Sequence, residues 1–281
     1  MTEEFFDARD LQLNGESDFT THWGNFGYWQ SVSTYPAACE ALARLVADAA
    51  RLDAQSHLLD CGFGCGEQLL TWINHYQVAA IVGVNISMSQ TVIARRKMSA
   101  LSPCAAKVTL HQGDAVALLA DQALTTSVGG TSPFSHVIAL DCAYHFQVRA
   151  DFLQHAYDVL ASNGRLALSD ITFCKPPVSL IGKVRFHFAV MCMSAANIPA
   201  ANVMSVEEYG ALLAHIGFKD IEIRDVTKPV IAGFCAWLPG YRQRSRLSSN
   251  TQWTKYTVTT LFLRWAYRYG IIEYQLISAS K

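Results

Sequence analysis

Residues 57–67 read HLLDCGFGCGE, a short apolar run that leads through an aspartate to three glycines at alternate positions. Because glycine has no Cβ, Gly62, Gly64 and Gly66 allow the backbone to turn tightly and to approach a ligand closely. A helical pattern follows the loop. Doubly wound sheets bind ligands at the carboxyl ends of their strands, where such a loop leads into a helix. The stretch therefore predicts a ligand site at the end of a parallel strand.

The glycine loop differs from the two common phosphate-binding loops. A dinucleotide fingerprint counted from Gly62 requires glycine where this chain has Glu67. A P-loop requires Gly-Lys followed by Ser or Thr, which this stretch lacks. A carboxylate beside the glycines repels a pyrophosphate and suits a ligand that carries positive charge.

Short apolar runs alternate with amphipathic segments from residue 57 onward. The predicted strands cover residues 57–62, 79–85, 107–114, 136–142, 165–172, 220–227 and the final run IEYQLISAS. The predicted helices lie near residues 66–76, 87–100, 149–161, 205–218 and 251–268. Ser205 and Glu208 form the pattern of a capping box at the start of one of them. Continuous apolar strands separated by helices indicate an α/β fold with a doubly wound, mostly parallel sheet.

The composition is apolar and nearly neutral. Charged residues make up 16% of the 281 residues, whereas about 25% is usual. With 22 Lys and Arg against 23 Asp and Glu, the chain lacks the basic excess of a nucleic-acid binder. No apolar run approaches the roughly 20 residues of a membrane-spanning helix. The apolar surplus is expected in a large core, a pocket, an oligomer interface or a membrane-facing surface.

The chain is expected to be a cytoplasmic protein. Its start, MTEEFFDARD, is acidic, whereas a signal peptide is basic and then apolar. Its eight cysteines lie in apolar segments without a CxxC pair, which favours reduced, buried thiols. No HExxH motif or paired Cys/His spacing is present, so we expect no metal site.

The run LDCGFGCGE resembles motif I of the class I S-adenosylmethionine (SAM) dependent methyltransferases, D/E-x-G-x-G-x-G. The stretches VGVNISMSQTVIARRK, HQGDA, FSHVIALDCAYHF and LASNGRLALSDI resemble the later motifs in the same order. The WGNFGYW segment, the Ile-Ser-x-x-Gln helix start and a lid-like insertion resemble the small-molecule members that methylate ubiquinone, tocopherol, sterols or form cyclopropane lipids. The resemblance implies a seven-stranded, Rossmann-like sheet whose last strand is antiparallel.

The resemblance also suggests how the chain is organised. Residues 1–56 would form an N-terminal helical and aromatic cap, and residues 57–175 the SAM-binding core. Residues 176–204, which follow Lys175-Pro176-Pro177 and break the strand–helix rhythm, would form a lid insertion. Residues 205–281 would complete the sheet and contribute a helical, substrate-side segment at 229–268.

Transferred position by position, the resemblance implies a SAM site at the glycine loop. Gly62, Gly64 and Gly66 would lie against the amino-acid part of SAM. Asp60 would either orient the loop or receive the ammonium group. Asn85 stands where the family most often has Asp or Glu for the ribose hydroxyls, and an amide can still accept from one hydroxyl and donate to the other.

Further SAM contacts are implied along the same edge of the sheet. Gln90 would assist at the ribose. Asp114 and Ala115 match the positions that contact adenine. Asp141 would close the methionine end, with Tyr144 covering it. A cap at a strand end is the alternative reading for Asp114 and Asp141.

Two residues are candidates for the chemistry of transfer. A SAM methyl group leaves in an in-line displacement, so alignment is the main contribution of the protein. Aromatic faces attract the sulfonium, and we expect Tyr28 of WGNFGYW nearest to the reacting centre. His145 follows the fourth strand and is the candidate base. A satisfied histidine at a helix entrance and an aromatic cluster that plugs the core are the competing interpretations.

The acceptor is expected to be a small, largely apolar molecule. The candidate substrate-binding residues are Trp23, Trp29, Phe186, His187 and Met191, because aromatic and Met side chains suit an apolar pocket. The same residues suit a core or a dimer interface, so a monomer and a homodimer both stay open. The run Arg242, Arg244 and Arg246 fits either a solvated loop or a peripheral membrane contact.

The sequence therefore favours a SAM-dependent methyltransferase that modifies C, N or O of a small, apolar molecule of lipid or secondary-metabolite type. One alternative is a SAM-binding regulatory protein without turnover, which Asn85 would fit. Another is a nicotinamide-dependent oxidoreductase, against which Glu67 argues. A nucleic-acid or protein methyltransferase is disfavoured by the lack of basic excess and of an NPPY-type motif.

Overall fold

A single sheet organises the molecule. The computed structural model describes residues 7–8, 11–14, 21–101, 107–120, 134–244 and 250–281. The strands are His57–Cys61 (β1), Ala80–Asn85 (β2), Lys107–Gln112 (β3), Phe134–Leu140 (β4), Leu160–Phe173 (β5), Lys219–Asp225 (β6) and Ile272–Ser280 (β7). Their order is β3-β2-β1-β4-β5-β7-β6, with β7 antiparallel to both neighbours and the other pairs parallel. The predicted doubly wound fold is confirmed.

Helices cover both faces of the sheet. They are Tyr35–Ala50 (α1), Glu67–Asn74 (α2), Met88–Ser99 (α3), Ala115–Ala120 (α4), Arg149–Val159 (α5), Leu180–Ala195 (α6), Val206–Ile216 (α7), Gly233–Arg244 (α8) and Asn250–Arg268 (α9). Shorter turns are Gln12–Asn14, Ala143–His145, Ala200–Asn202 and, as a π-helix, Lys228–Ala232. The capping box predicted for Ser205 and Glu208 is present at the start of α7.

The strands are apolar on both sides because each face supports its own core. Successive side chains of a strand point to opposite faces. Leu58 accordingly packs in the cluster that contains Leu42 of α1, whereas its neighbour Leu59 packs with Phe152 of α5. A sheet covered on both faces needs such continuous apolar strands, which explains much of the apolar composition.

The fifth strand begins earlier than the sequence predicts. The apolar pattern predicts a strand over residues 165–172, whereas β5 starts at Leu160. Its pairing with β4 is irregular between Phe134 and His136, and Asn163 adopts a positive φ of 65°. Asn163-Gly164 therefore forms a bulge inside the strand rather than a turn before it.

The segment at 176–204 contains α6, a helix that buries little of itself. Only Ala189 and Met193 of its 16 residues are buried. Within the described residues, none of the helices combines the length and the apolar character required to cross a membrane.

Candidate active site

A cavity of about 280 Å³ lies at the carboxyl ends of β1, β2 and β4. It brings together many of the residues that the sequence singled out. Those in its lining are Trp23, Gly62, Gly64, Asn85, Gln90, Asp114, Ala115, Asp141, Tyr144 and His145. The site thus forms where doubly wound sheets bind their ligands.

The glycine loop provides a cradle without side chains. Gly66 has a φ of 86°, and a Cβ there would lie 3.0 Å from the Cβ of Ala94, so α2 and α3 pack closely. Gly64 has a φ of 57°, and a Cβ there would have no neighbour within 4 Å. Because Gly64 lines the cavity, that open space is available to a ligand. A small organic group can therefore contact the backbone directly.

Asp60 lies behind this loop and is fully buried. Its carboxylate accepts hydrogen bonds from Gln68 Nε2 (2.8 and 3.0 Å) and Trp72 Nε1 (2.7 Å). Burial raises the pKa of Asp60 to about 6, while these hydrogen bonds lower it. The contacts connect β1 to α2, which favours the loop-orienting role over direct contact with an ammonium group.

Glu67, the residue after the glycine loop, has a positively charged partner in the same chain. Its Oε1 accepts a hydrogen bond from the backbone nitrogen of His22 (2.7 Å) and forms an ion pair with Lys97 Nζ. The three residues therefore clasp the N-terminal segment to α2 and α3. Sequence reasoning identified Glu67 but missed Lys97, because a partner 30 residues away leaves no local signal.

Asn85 and Gln90 stand together at the end of β2. Asn85 Nδ2 donates to Gln90 Oε1 (3.2 Å) and to the carbonyl of Ser87 (3.4 Å). Ser87 is also the N-cap of α3. Both bonds of Asn85 use its amide nitrogen, and its carbonyl oxygen is the atom that can accept from a ribose hydroxyl.

Asp114 performs the capping role that was the alternative reading of its sequence position. Its Oδ1 accepts from the backbone nitrogens of Val116 (2.8 Å) and Ala117 (3.3 Å) at the start of α4. Asp114 also lines the cavity beside Ala115. The adenine contact stays a prediction that is compatible with the cap.

Asp141 joins three parts of the chain at the end of β4. It adopts a positive φ of 54°, and its carboxylate accepts from Phe26 N (2.7 Å), Tyr144 Oη (2.8 Å) and Tyr274 Oη (2.6 Å). Burial raises the pKa of Asp141 to about 6 against these hydrogen bonds. The residue therefore fixes the WGNFGYW segment to β4 and β7.

His145 lies in the turn after β4, with its Nδ1 3.0 Å from the carbonyl oxygen of Asn197. Because a carbonyl only accepts, Nδ1 carries the hydrogen, and Nε2 is the acceptor of the neutral ring. Burial lowers the pKa of His145 to about 4, so the ring is neutral at physiological pH. It is thus held as an acceptor in the cavity wall.

Buried hydrogen bonds hold the turn that carries His145 in place. Asn202 Nδ2 donates to the carbonyls of Tyr144 (3.0 Å) and Phe146 (2.7 Å). Arg149 Nη2 donates to the carbonyl of Asn202 (2.6 Å), and Arg149 is itself paired with Asp170 at 3.0 Å in the fully buried core. A rigid support of this kind fixes the position of the His145 ring in the cavity wall.

Besides Asp60 and Gly66, five predicted site residues lie outside the part of the cavity lining that the described residues form. Tyr28 donates its hydroxyl hydrogen to Gln30 (2.5 Å), and Trp29 contacts Trp237 with ring centroids 4.8 Å apart. Phe186 contacts Phe173 of β5 edge to face, with ring centroids 6.3 Å apart. The other two, His187 and Met191, are exposed on α6.

The cavity wall opposite the sheet is aromatic, and the sequence predicted only part of its lining residues. Lys255 and Tyr256 of α9 line it, beside Tyr35 of α1. Tyr35 Oη donates to the carbonyl of Asn25 (2.8 Å), which also lines the cavity. The sequence predicted a substrate-side segment at 229–268 but did not single out Tyr256, because α9 lies more than a hundred residues after β4.

Comparisons with known proteins agree with this geometry. A family model described as a methyltransferase domain matches residues 58–164. The erythromycin 3''-O-methyltransferase of Saccharopolyspora erythraea is 29% identical over 213 residues, which are 74% of this chain and 65% of that enzyme. The chain thus covers just under two thirds of that enzyme's length. An O-methyltransferase of Pyrenophora dematioidea is 23% identical over 76% of this chain and 74% of that protein.

A solved structure shows the same fold over the whole chain. A mycolic acid cyclopropane synthase, solved with SAH and CTAB, superposes with a TM-score of 0.76 and 18% identity. The superposition covers 100% of this chain and 94% of that chain. The likeness extends beyond the matched family domain to the helices that cap the cavity.

Proposed function

We propose that the chain is a class I SAM-dependent methyltransferase, as the matched methyltransferase domain and the relatives support, and that it transfers the methyl group of SAM to a hydroxyl oxygen of a small, largely apolar molecule. The observation that carries the proposal is the position of the glycine cradle and His145 in one cavity. The names of both curated relatives support oxygen as the accepting atom, since each is an O-methyltransferase.

The strand ends are suited to hold SAM. Gly64 leaves open space in the cavity wall, Asn85 offers an acceptor oxygen near Gln90, and Asp114 and Ala115 lie beside them. When bound, SAM supplies an electrophilic methyl group. The hydrogen bond from Phe26 N to Asp141 holds the N-terminal segment against the end of β4, beside the cavity.

His145 Nε2 accepts the proton of the acceptor hydroxyl in this proposal. The hydrogen bond to Asn197 fixes the tautomer and leaves Nε2 as the basic nitrogen. A ring with a pKa of about 4 is neutral but weakly basic, so the proton moves as the hydroxyl oxygen reacts rather than before it. Because the ring is already neutral, His145 can accept a proton without first having to lose one.

The helical side of the cavity is proposed to receive the acceptor. Tyr35 and Tyr256 present aromatic surface there, and Lys255 places a cation at its rim. Aromatic walls with few polar groups are typical of sites for small apolar molecules. In this interpretation the segment 229–268 is the substrate-side part of the molecule.

The cysteines support a reducing compartment, for which we propose the cytoplasm. Those of the described residues are free thiols, and most of them are buried. Burial raises the pKa of Cys61 and Cys142 well above the usual value, so neither thiol is a nucleophile at neutral pH.

The test compares His145→Gln with the wild type, using labelled SAM and a panel of lipid, phenolic, macrolide, indole and amine acceptors. We expect kcat to fall about 10²- to 10⁴-fold while the Kd for SAM is unchanged. His215→Gln, which alters an exposed histidine of α7, is the control. Unchanged turnover in His145→Gln would remove His145 from the mechanism, and SAM binding without transfer to any acceptor would favour a regulatory protein.

A further inference from the structure

Two long stretches of the chain contain basic residues and no acid. Residues 171–206 and 226–272 hold ten of the 22 Lys and Arg and none of the 23 Asp and Glu. The chain as a whole carries a net charge of -1, so its charge is strongly divided. These stretches include α6, α8 and α9.

Helix α6 exposes an apolar stripe on its outer face. The exposed fraction is 77% for Leu180, 65% for Ile181, 62% for Val184 and 48% for Phe188. These positions repeat at three- to four-residue intervals, so they lie on one face of the helix. Isolated exposed apolar residues are normal, but a continuous stripe marks an interaction surface.

Helix α9 extends this stripe. Val258 is 59% exposed and Leu261 is 60% exposed, and Trp265 follows at the same helical spacing. The ring of Trp265 meets the ring of Phe188 edge to face, with centroids 5.4 Å apart. The two stripes are therefore continuous, and we refer to them together as the α6–α9 face.

Cations border the α6–α9 face. Lys183 of α6 and Arg264 and Arg268 of α9 are exposed. The guanidinium of Arg185 lies 3.9 Å from the centroid of the Tyr269 ring, at the junction of the two helices. Protruding apolar side chains surrounded by Lys and Arg are typical of helices that lie in the surface of an anionic membrane.

We propose that the α6–α9 face docks onto an anionic lipid surface. The apolar side chains enter the acyl boundary while the basic residues contact anionic headgroups. Charge complementarity selects this occupant, because two copies of a face without acidic residues repel each other. The proposal concerns where the protein works and does not depend on the accepting atom of the methyl group.

The test measures co-sedimentation of the full chain with phosphatidylcholine vesicles, with and without about a third phosphatidylglycerol. We expect binding only to the anionic vesicles, and its loss when salt rises from about 0.1 M to about 1 M, which shortens the Debye length from ~10 to ~3 Å. Lys183→Glu is expected to weaken binding at least about fivefold, the factor for one basic residue at such a surface.

Variants that replace exposed apolar side chains distinguish insertion into the membrane from electrostatic attraction to it. The triple variant Leu180→Ser, Ile181→Ser and Val184→Ser is expected to weaken binding at least tenfold and to leave the circular dichroism spectrum unchanged. Met88→Ser with Val92→Ser is the matched control, since these α3 residues are also exposed, at 45% and 37%. Its binding should equal that of the wild type.

Three outcomes overturn the proposal. The first is wild-type protein that leaves anionic vesicles unbound, and the second is equal loss of binding in the α3 control. The third is a dimer, detected by light scattering, that the triple serine variant dissociates while vesicles bind neither protein. That result would assign the α6–α9 face to a second copy of the chain.

Discussion

The two sides of the cavity are specified by the chain in different ways. On the sheet side, the contacts come from short contiguous motifs, and the supporting side chains, such as Asp60, are buried and hydrogen-bonded. On the helical side, α1 and α9 contribute single residues, such as Tyr35 and Tyr256, that are far apart in sequence. The sheet side is therefore fixed by local geometry, and the helical side by packing.

This difference indicates a division of labour. A cofactor shared by a whole family needs the same cradle in each member, and glycines at strand ends provide it. An acceptor that differs between members needs a wall that can change without disturbing the sheet. Changes on the sheet side should therefore affect stability and SAM binding, whereas changes on the helical side should affect the choice of acceptor.

The largest loss of stability is expected for Asp141→Ala, since Asp141 joins the N-terminal segment to the end of β4 and to β7. The change leaves Phe26 N and Tyr144 Oη without their acceptor, whereas Tyr274 Oη keeps Ser169 Oγ as an acceptor at 3.1 Å. Unsatisfied buried donors cost about 1–3 kcal/mol each, so we expect the free energy of unfolding in urea to fall by roughly 2–5 kcal/mol. Proteolysis should also become faster within residues 21–30. Loss below about 0.5 kcal/mol, as in a surface change such as Asp158→Ala, would contradict the account.

The raised pKa of Asp60 predicts that the stability of the protein depends on pH. Its folded pKa of about 6 lies above the unfolded value of about 3.9, so the folded state holds the proton more tightly. The stability that protonated Asp60 contributes is present below pH ~4 and is lost as the pH rises through ~6, by up to about 3 kcal/mol.

Subtracting the stability of Asp60→Asn from that of the wild type isolates this contribution, because other groups cancel. The difference should decrease between pH ~4 and ~7 in urea unfolding. Asp53, whose backbone and Ser56 hydrogen bonds lower its pKa, is the control, and its contribution should be lost as the pH falls. A wild-type minus Asp60→Asn difference that is constant with pH would show that Asp60 has an ordinary pKa.

How much the sequence could predict follows the same division. The apolar runs located the strands, with the clearest error at β5, where the bulge at Asn163-Gly164 resembles a turn. The glycine motif and the end of the second predicted strand identified Gly62, Gly64 and Asn85, which line the cavity, because the ends of parallel strands lie along one edge of the sheet.

The helical side could not be predicted in the same way. Tyr256 reaches the cavity only through the packing of α9. His187 and Met191 belong to an apolar, Met-rich segment, but α6 presents them to solvent. Composition identifies an apolar segment, whereas the direction of each side chain depends on the neighbouring helices.

Substitutions at two glycines distinguish the cost of backbone strain from the loss of ligand contact. Gly64 and Gly270 have the same φ of 57°, and a Cβ at either position would have no neighbour within 4 Å. Alanine should therefore cost both sites a similar ~1–2 kcal/mol of stability. Only Gly64→Ala should weaken SAM binding by calorimetry, since its Cβ enters the cavity. Equal SAM affinity in the two variants would place SAM elsewhere.

The smallest effect is expected at the ribose position. Asn85→Asp provides a second acceptor oxygen, and a rotated Gln90 amide can donate to it in place of the present bond. We expect a gain of about 0.5–1.5 kcal/mol in SAM binding, the contribution of one hydrogen bond. Asn85→Ala should lose a similar amount. A competition assay with SAH measures both, and an unchanged affinity in the two variants would contradict a ribose contact.

The central claim, that the sheet side of the cavity holds SAM, is tested most directly by titrating SAM and NAD separately into the wild-type protein in a calorimeter. We expect one SAM to bind per chain and NAD to release no heat of binding. Binding of NAD without binding of SAM would contradict the claim and assign the glycine loop to a nicotinamide cofactor.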